Sequence, residues 1–241
     1  MNCVFVTGTD TDAGKTLVSS ALLERLGEGG LRTLAFKPVA AGAVKTAVGM
    51  RNSDALQLER AMSCRGVSYE QINPVCLEAP VAPHLAAVTE GKKLAVEGLH
   101  GDYLRLCEHD HDVILIEGAG GWLVPLNDEE TLADFATKVN AHVVLVVNMK
   151  LGCLNHALLT AADIQRRGLK LVGWVANQAQ LTTMALAEEN QAWLTKYFAR
   201  EHGAPLLASI PFQQTADALR VASYLPASQA LISVLQGNTD F

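Results

Sequence analysis

The chain has 241 residues, of which 49% are hydrophobic and 18% charged, and its formal net charge is −6. This composition is typical of a folded globular protein with a substantial core, and we expect a single domain that spans residues 1–241. The acidic balance argues against nonspecific nucleic-acid binding, and no apolar run is long enough to cross a membrane. No signal-peptide pattern opens the chain, so we expect a cytoplasmic protein.

The five cysteines are predicted to be free thiols in a reducing compartment. Their number is odd and no two of them form a C-x-x-C pair, so neither a disulfide framework nor a zinc site is indicated. The sequence His109-Asp110-His111 resembles a metal-binding pair. A solvated loop before the next strand is the simpler interpretation, and we expect no metal there.

Apolar, β-branched runs alternate with helical patterns along the chain. Predicted strands cover Cys3–Thr7, Thr33–Lys37, Val113–Glu117, Val143–Asn148, Leu171–Ala176 and Leu206–Ile210. Predicted helices cover Thr16–Leu26, Asp54–Met62, Glu97–Glu108, Leu132–Val139, His156–Arg167, Ala185–Arg200 and Ser228–Leu235. Continuous apolar strands separated by helices favour an α/β fold with a mostly parallel central sheet and helices on both faces. The proline-rich segment from Pro74 to Gly91 is predicted to be an irregular surface excursion.

The first predicted strand is followed by the elements of a phosphate-binding P-loop, from Gly8 to Thr16. Glycine lets backbone N–H groups approach an anion, and the start of the next helix adds unpaired donors. Lys15 would neutralise the outer phosphates, and the Thr16 hydroxyl would bind Mg²⁺. Because Gly8 and Gly14 are separated by five residues rather than the usual four, a nucleotide-free βα turn with a solvated Lys15 stays open as the alternative. The motif predicts a P-loop NTPase-like protein.

Lys37 and Asp54 follow the second predicted strand. In a parallel sheet, ligands bind beyond the carboxyl ends of the strands, so Lys37 is expected to face the same edge as the P-loop. The alternative is an ordinary surface lysine. Ser53 or Asp54 would be a good helix N-cap, and capping alone would explain either residue. A second interpretation, equally open on the residues alone, makes Asp54 a carboxylate for Mg²⁺.

Glu117 ends the third strand of this sheet edge after four apolar residues, and the Gly118–Gly121 turn follows. A buried glutamate is costly unless it is paired or bound to metal, so Glu117 is expected near the Mg²⁺ of a P-loop ATPase. The segment from Asn148 to His156 opens a helix whose N–H groups could hold a carboxylate. Asn177 could read a base edge, and Ala179 two residues later disfavours guanine.

Six blocks of sequence together resemble the dethiobiotin synthetase family of biotin biosynthesis. In chain order they are GTDTDAGKT, FKPVAAG, RNSDAL, VILIEGAGGWLVPL, MKLGCLNHA and GWVAN. They span most of the chain and weaken after about Gln178. The GAGGW and KLGCxNHA blocks are far more specific than a phosphate loop alone.

The resemblance implies an ATP-dependent ligase that acts on 7,8-diaminononanoate and CO₂ and requires Mg²⁺. CO₂ adds to one amine to give a carbamate, ATP phosphorylates the carbamate, and the second amine closes a cyclic urea. By the same resemblance, Lys15 and Lys37 flank the transferred phosphoryl group as catalytic residues. Thr16, Asp54 and Glu117 resemble the metal ligands, which favours the metal interpretation of Asp54. A homodimer is also implied.

The resemblance further assigns the binding residues. ATP is expected to contact Asp12, Ala13, Gly14, Lys15, Thr16, Leu17, Asp54, Glu117, Gly118, Ala119, Gly120, Asn177, Gln178, Pro211, Phe212 and Gln213. The diamine or its carbamate is expected to contact Thr11, Lys37, Ala41, Gly118, Gly152, Cys153 and Asn155. Of these, the last three would hold the substrate carboxylate across the dimer interface. Family members commonly have Ser, Glu and Asp where this chain has Ala41, Asp12 and Gln178.

The alternatives to this resemblance are another P-loop ligase and, from a different class, a P-loop switch ATPase. An amide ligase of the kind used in cobalamin assembly would normally carry a glutaminase domain, for which the chain has no room. A partition or septum-site ATPase would have an extra lysine early in the P-loop, which positions 9–13 lack, and often an amphipathic membrane-binding tail. The terminal segment Ser228–Phe241 has no basic face.

Overall fold

The computed structural model describes residues 2–237, built around a six-stranded parallel sheet flanked by helices. The strands are β1 (Asn2–Gly8), β2 (Thr33–Phe36), β3 (Val39–Ala40), β4 (Val44–Thr46), β5 (Gly49–Arg51), β6 (Val75–Cys76), β7 (Val113–Glu117), β8 (His142–Asn148), β9 (Leu171–Asn177) and β10 (Leu206–Ile210). The helices are α1 (Lys15–Glu28), α2 (Ser53–Ala61), α3 (Tyr69–Ile72), α4 (Pro83–Thr89), α5 (Val96–Leu106), α6 (Leu132–Lys138), α7 (Cys153–Arg166), α8 (Ala187–His202), α9 (Ala218–Ala222) and α10 (Ser228–Leu235).

The order of strands in the central sheet places β1 in its middle. The order is β10-β9-β8-β1-β7-β2, and Phe5 of β1 is level with Ile116 on one side and Val143 on the other. The chain first fills the side that holds β2 and β7, and then turns back across β1 to add β8, β9 and β10. This reversal opens a crevice beyond the carboxyl end of β1, where doubly wound folds bind ligands.

Helices cover the two faces of the sheet in the way that right-handed crossovers require. On one face α1 packs against α2, α9 and α10, whereas α5 packs against α6 and α7 against α8. Strands β7 and β9 are buried along their whole lengths, which explains their continuous apolar sequences. The predicted α/β fold, with a mostly parallel sheet and helices on both faces, is confirmed.

The structure corrects three expectations about local structure. Pro74–Gly91 is not wholly irregular, since it contains β6, which pairs with β3, and α4, which starts with a proline in its first turn. The cap of α2 is Asn52, whose side chain accepts from the backbone of Asp54 and Ala55, and neither Ser53 nor Asp54 is the cap. The helix after β8 begins at Cys153, three residues before the predicted His156. Strand β6 and helix α4 are too short for periodicity to reveal, and the cap of α2 depends on one side chain.

Three further features concern residues 2–237. The five cysteines are free thiols, and His109–His111 lies in the connection between α5 and β7. Within residues 2–237, no helix is both long and apolar enough to span a bilayer. The predictions that include Met1 and residues 238–241, which are the full domain extent and the end of the C-terminal segment, lie partly outside the described residues.

Candidate active site

A cleft of about 910 Å³ lies beyond the carboxyl ends of the central strands. The P-loop forms its floor, and side chains from the segments that follow β2, β7 and β9 form its walls. The size and position of the cleft suit a nucleotide together with a second small substrate.

The P-loop is held in shape by two residues with positive φ and by contacts with neighbouring strands. Asp12 has φ 62° and Gly14 has φ 88°, and α1 begins directly afterwards. The Asn177 side chain on β9 donates through Nδ2 to the Ala13 carbonyl at 2.8 Å. A Cβ at residue 14 would lie 2.1 Å from Asn177 Nδ2, so only glycine fits there. The first N–H groups of α1 therefore stay directed into the cleft, where they could bind an anion.

A compact cluster of opposite charges lies beside the P-loop. The Lys37 ammonium, 3% exposed, contacts Glu117 Oε1 at 2.5 Å, the Gly118 carbonyl at 3.2 Å and Asp54 Oδ2 at 3.4 Å. The Thr16 hydroxyl donates to the same Glu117 oxygen at 2.9 Å. Residues from α1, β7, the start of α2 and the end of β2 thus meet at one point, although up to 101 positions separate them in the chain.

Glu117 and its neighbours place oxygen atoms of the kind that Mg²⁺ prefers beside the P-loop. The Glu117 side chain is 0% exposed, and within residues 2–237 its Oε2 atom has no hydrogen-bond partner. Asp54, by contrast, is 40% exposed toward solvent. No group of three or more His, Cys, Asp or Glu in the described part of the chain is arranged to hold a metal alone. Two carboxylates and a hydroxyl, completed by phosphate oxygens and water, would match the coordination that Mg²⁺ prefers.

The two lysines of the cleft differ in how well their charges are compensated. Burial, and next the positive charge of Lys37, lower the pKa of Lys15 despite opposing effects of Glu117, Asp54 and Asp10. Burial would also lower the pKa of Lys37, but its contacts with Glu117 and Asp54 outweigh burial and raise that pKa. Lys37 is therefore a stable cation, whereas Lys15 lacks negative charge that a bound phosphate would supply.

The structure brings together most of the residues that the sequence assigned to ATP and substrate. Lining the cleft are Thr11, Asp12, Gly14, Lys15, Thr16, Leu17, Lys37, Ala41, Asp54, Ala119, Gly120, Asn177, Gln178, Phe212 and Gln213. Ala13, Glu117 and Gly118 lie just beneath this surface, where they accept hydrogen bonds from cleft residues. Pro211 adjoins the lining residue Phe212, and its carbonyl accepts from Gln213. Gly152, Cys153 and Asn155 do not line the cleft and lie at the start of α7.

Sequence reasoning missed part of the cleft wall. The segments Pro80–Pro83 and Leu123–Pro125 line it, as do Gln57 and Ala216. The first segment lies in the supposed irregular excursion, whose prolines are a signal for a fixed loop before a helix. The others carry no chemical group that would single them out.

The turn after β7 is anchored from behind by Trp122. Its ring packs edge-on against Phe5 at 5.8 Å, and its Nε1 donates to Asp163 Oδ2 on α7 at 2.8 Å. Asp163 also accepts from Arg167, which reaches Asp134 on α6 at 2.6 Å. Burial would raise the pKa of Asp163, but hydrogen bonds, first from Arg167, leave it below its usual value. This chain of contacts fixes the position of the glycine turn relative to α6 and α7.

Replacing Asp163 with Asn is expected to cost about 1–3 kcal/mol of stability at neutral pH, because Arg167 loses a charged partner. The folded-state pKa of Asp163 is lowered, so its stabilisation is present above about pH 4 and is lost as pH falls through the folded value. The difference in Tm between wild type and Asp163→Asn should therefore narrow in acid. Arg166→Ala, which removes an exposed partner of the same carboxylate, should change Tm little. A difference that stays constant down to about pH 2 would contradict this assignment.

Comparisons with known proteins agree with the geometry. A family profile described as an AAA domain matches residues 2–220. The ATP-dependent dethiobiotin synthetase of Cellvibrio japonicus is 50% identical over 227 residues, which cover 94% of this chain and 96% of the relative. The same enzyme of Vibrio campbellii is 45% identical over 88% of this chain and 90% of the relative, and that of Yersinia pestis is 47% identical over 86% and 84%.

One solved structure is similar to this chain in fold but not closely in sequence. The MinC:MinD cell division protein complex of Aquifex aeolicus matches with a TM-score of 0.54 and 16% identity, covering 98% of this chain and 95% of that chain.

Proposed function

The chain belongs to the dethiobiotin synthetase family, and we propose that the cleft beyond β1 is where it closes the ring of dethiobiotin from 7,8-diaminononanoate, CO₂ and ATP. The activity itself, an ATP-dependent ring closure in biotin biosynthesis, follows from the family. The observation that carries its assignment to this cleft is the buried Lys37, held on Glu117 and Asp54 beside the P-loop. Neither the amide ligase nor the partition ATPase is favoured by these relatives.

The proposed reaction has three steps in which bonds and charges balance. One amine attacks CO₂ and loses a proton, giving a carbamate. A carbamate oxygen then attacks the γ-phosphorus, the bond to ADP breaks, and a carbamic–phosphoric anhydride forms. Finally, the second amine attacks the carbonyl carbon, loses a proton and expels phosphate, which leaves a cyclic urea. The second step brings two anions together, so positioning and positive charge account for most of the catalysis.

The P-loop and two lysines meet this requirement. The N–H groups at the start of α1 and the under-compensated Lys15 hold the β- and γ-phosphates of ATP. Lys37 faces them from the end of β2 as a stable cation, so it neutralises charge as the phosphoryl group passes to the carbamate. Thr11 and Ala41, which also line the cleft, together with the Gly118–Gly121 turn, are the proposed contacts of the diamine and its carbamate.

Magnesium fits the acidic side of the cluster. Thr16, Asp54 and Glu117 would hold it, and the partnerless Glu117 Oε2 is the observation that supports this choice. When bound, the ion would neutralise charge on the β- and γ-phosphates.

The adenine base is proposed to lie near Asn177, Gln178 and Pro211–Gln213. Since Asn177 Nδ2 donates to the Ala13 carbonyl, its amide cannot flip without losing that bond, and its Oδ1 is left as an acceptor. An acceptor suits a base with an exocyclic amine, such as adenine, better than the keto edge of guanine. Gln178 also lines the cleft, and its side chain donates to Thr183 Oγ1 at 2.7 Å.

A homodimer is proposed to complete the substrate site. Gly152 and Asn155 are exposed at the start of α7, outside the cleft of their own chain, and neighbouring Leu151 is 93% exposed. In the proposed dimer, the Gly152–Cys153 turn and Asn155 of a second copy would hold the substrate carboxylate. Sedimentation that gives the monomer mass at working concentrations would contradict this.

The function is tested by incubating the protein with MgATP and bicarbonate, with and without 7,8-diaminononanoate. Phosphate release and product mass are measured together. We expect phosphate release that depends on the diamine and a product heavier than the diamine by one carbonyl group, less two hydrogens. Phosphate release at the same rate without the diamine would instead indicate an ATPase.

A further inference from the structure

A buried hydrogen-bond network lies behind the cleft and connects to two of its charged residues. Its centre is Tyr69 on α3, which is 6% exposed, with Asn52 and Asn73 at 4% and 2%. The Tyr69 hydroxyl accepts from the Asn52 backbone N–H at 2.7 Å and donates to Asn73 Oδ1 at 3.0 Å. The two asparagines are thereby fixed to a single phenol oxygen.

The side chain of each asparagine forms hydrogen bonds with the backbone of a different segment of the cleft. Asn73 Nδ2 donates to the Lys37 carbonyl at 2.7 Å. Asn52 Oδ1 accepts from the Asp54 N–H at 3.0 Å as the cap of α2, and Asn52 Nδ2 donates to the Ala41 carbonyl at 3.2 Å. The backbones that carry Lys37, Ala41 and Asp54 are therefore all tied to Tyr69 through one intermediate.

We propose that Tyr69 and Asn73 are positioning residues that set the location of the Lys37 ammonium relative to Asp54 and the phosphates. The proposal rests on the function proposed above for the cleft. Neither side chain lines the cleft, so both act through the backbone of β2 and the cap of α2. The Lys37 ammonium lies at the end of a long flexible side chain. Its Nζ atom is 3.4 Å from Asp54 Oδ2 and 2.5 Å from Glu117 Oε1. A fixed backbone at Lys37 therefore acts together with these contacts to hold the ammonium in place.

The surroundings of Tyr69 make its hydroxyl hard to replace. The Arg51 guanidinium stacks over the ring at 4.1 Å and pairs with Glu70 at 3.1 Å, which closes the network from solvent. Removing the hydroxyl would deprive the Asn52 backbone N–H and Asn73 Oδ1 of this partner. Both groups would then be unsatisfied or form other hydrogen bonds. The segments that carry Lys37 and Asp54 would no longer be held in a fixed relative position.

The test compares Tyr69→Phe with Tyr103→Phe in the full-length protein. Tyr103 on α5 is equally buried at 7% exposure, packs on Phe36 and does not line the cleft. We expect both variants to lose a similar amount of Tm. Tyr69→Phe should lower kcat about tenfold or more while changing the KM for ATP less than about threefold, because a small misplacement at the reacting group costs rate more than affinity. Tyr103→Phe should retain the wild-type kcat.

Asn73→Asp provides a second variant if Tyr69→Phe does not fold. It keeps an acceptor for the phenol but removes the donor to the Lys37 carbonyl, so it should also lower kcat at nearly constant KM. In the double variant the two losses should not multiply, since both act through one chain of hydrogen bonds. Equal kcat values for the Tyr69 and Tyr103 variants, or fully multiplicative losses, would overturn the proposal. If the wild type itself makes no cyclic urea, the proposed function fails instead, and the two failures are distinguishable.

Discussion

Lys37→Gln is expected to reduce kcat by about 10³-fold while ATP binding is largely retained. Lys37 is the cation that we propose to face the γ-phosphate from outside the P-loop, and its raised pKa keeps it charged. Gln preserves a donor for Glu117 and the Gly118 carbonyl but not the positive charge, so the loss falls on the step that joins two anions. Single-turnover rates and calorimetric titration with ATP measure the two quantities separately.

The matched control is Lys138→Gln. Lys138 also pairs with a glutamate, Glu97 at 3.1 Å, but both side chains are well exposed. The Lys138→Gln substitution should leave kcat and Tm nearly unchanged. If Lys37→Gln kept more than about a tenth of the wild-type kcat, Lys37 would not be the group that stabilises phosphoryl transfer.

Gly14→Ala is expected to weaken ATP binding by about 30- to 100-fold. Two costs contribute. An alanine at φ 88° is strained by about 1–2 kcal/mol, and its Cβ would displace the Asn177 amide from Ala13, at about 1 kcal/mol for the lost hydrogen bond. The loop relaxes away from the shape that directs its N–H groups at phosphate. Titration with ATP measures the loss directly.

Gly30→Ala separates backbone strain from the loss of the phosphate site. Gly30 has φ 83°, but a Cβ there would meet nothing within 4 Å, and the residue does not line the cleft. It should lower Tm as Gly14→Ala does and leave ATP affinity unchanged. A similar affinity for ATP in both variants would mean that the hydrogen bond between Asn177 and the Ala13 carbonyl is unimportant for ATP binding.

The sequence was most informative at charged residues within apolar segments, because burying such a residue is costly unless it has a charged or metal partner. A glutamate after four apolar residues and a lysine at the end of a buried strand are costly in a protein interior unless they are paired. The structure pairs these two, Glu117 and Lys37, with each other. The strands of the central sheet were likewise predictable, because a parallel sheet covered on both faces needs continuous apolar runs.

What the sequence could not reveal depends on contacts between distant positions. The sequence indicated a role for Asn177 only in binding the base. In the structure its amide also donates to Ala13 of the P-loop, which lies 164 positions away in the chain. Tyr69 and Asn73 carry no signal in the sequence, since a buried hydrogen-bond network has no periodicity and its partners lie on separate segments. The short strands β3 and β6 exist only because they pair with each other.

The origin of the oxygen atoms in the released phosphate tests the central claim most directly. The protein is mixed rapidly with MgATP, 7,8-diaminononanoate and CO₂ labelled with ¹³C and ¹⁸O, and the products are analysed before the label exchanges with water. If a carbamate oxygen attacks the γ-phosphorus in this cleft, the phosphate carries one ¹⁸O and the cyclic urea carries the ¹³C with the other ¹⁸O. Phosphate that contains only oxygen from ATP and water would contradict the account.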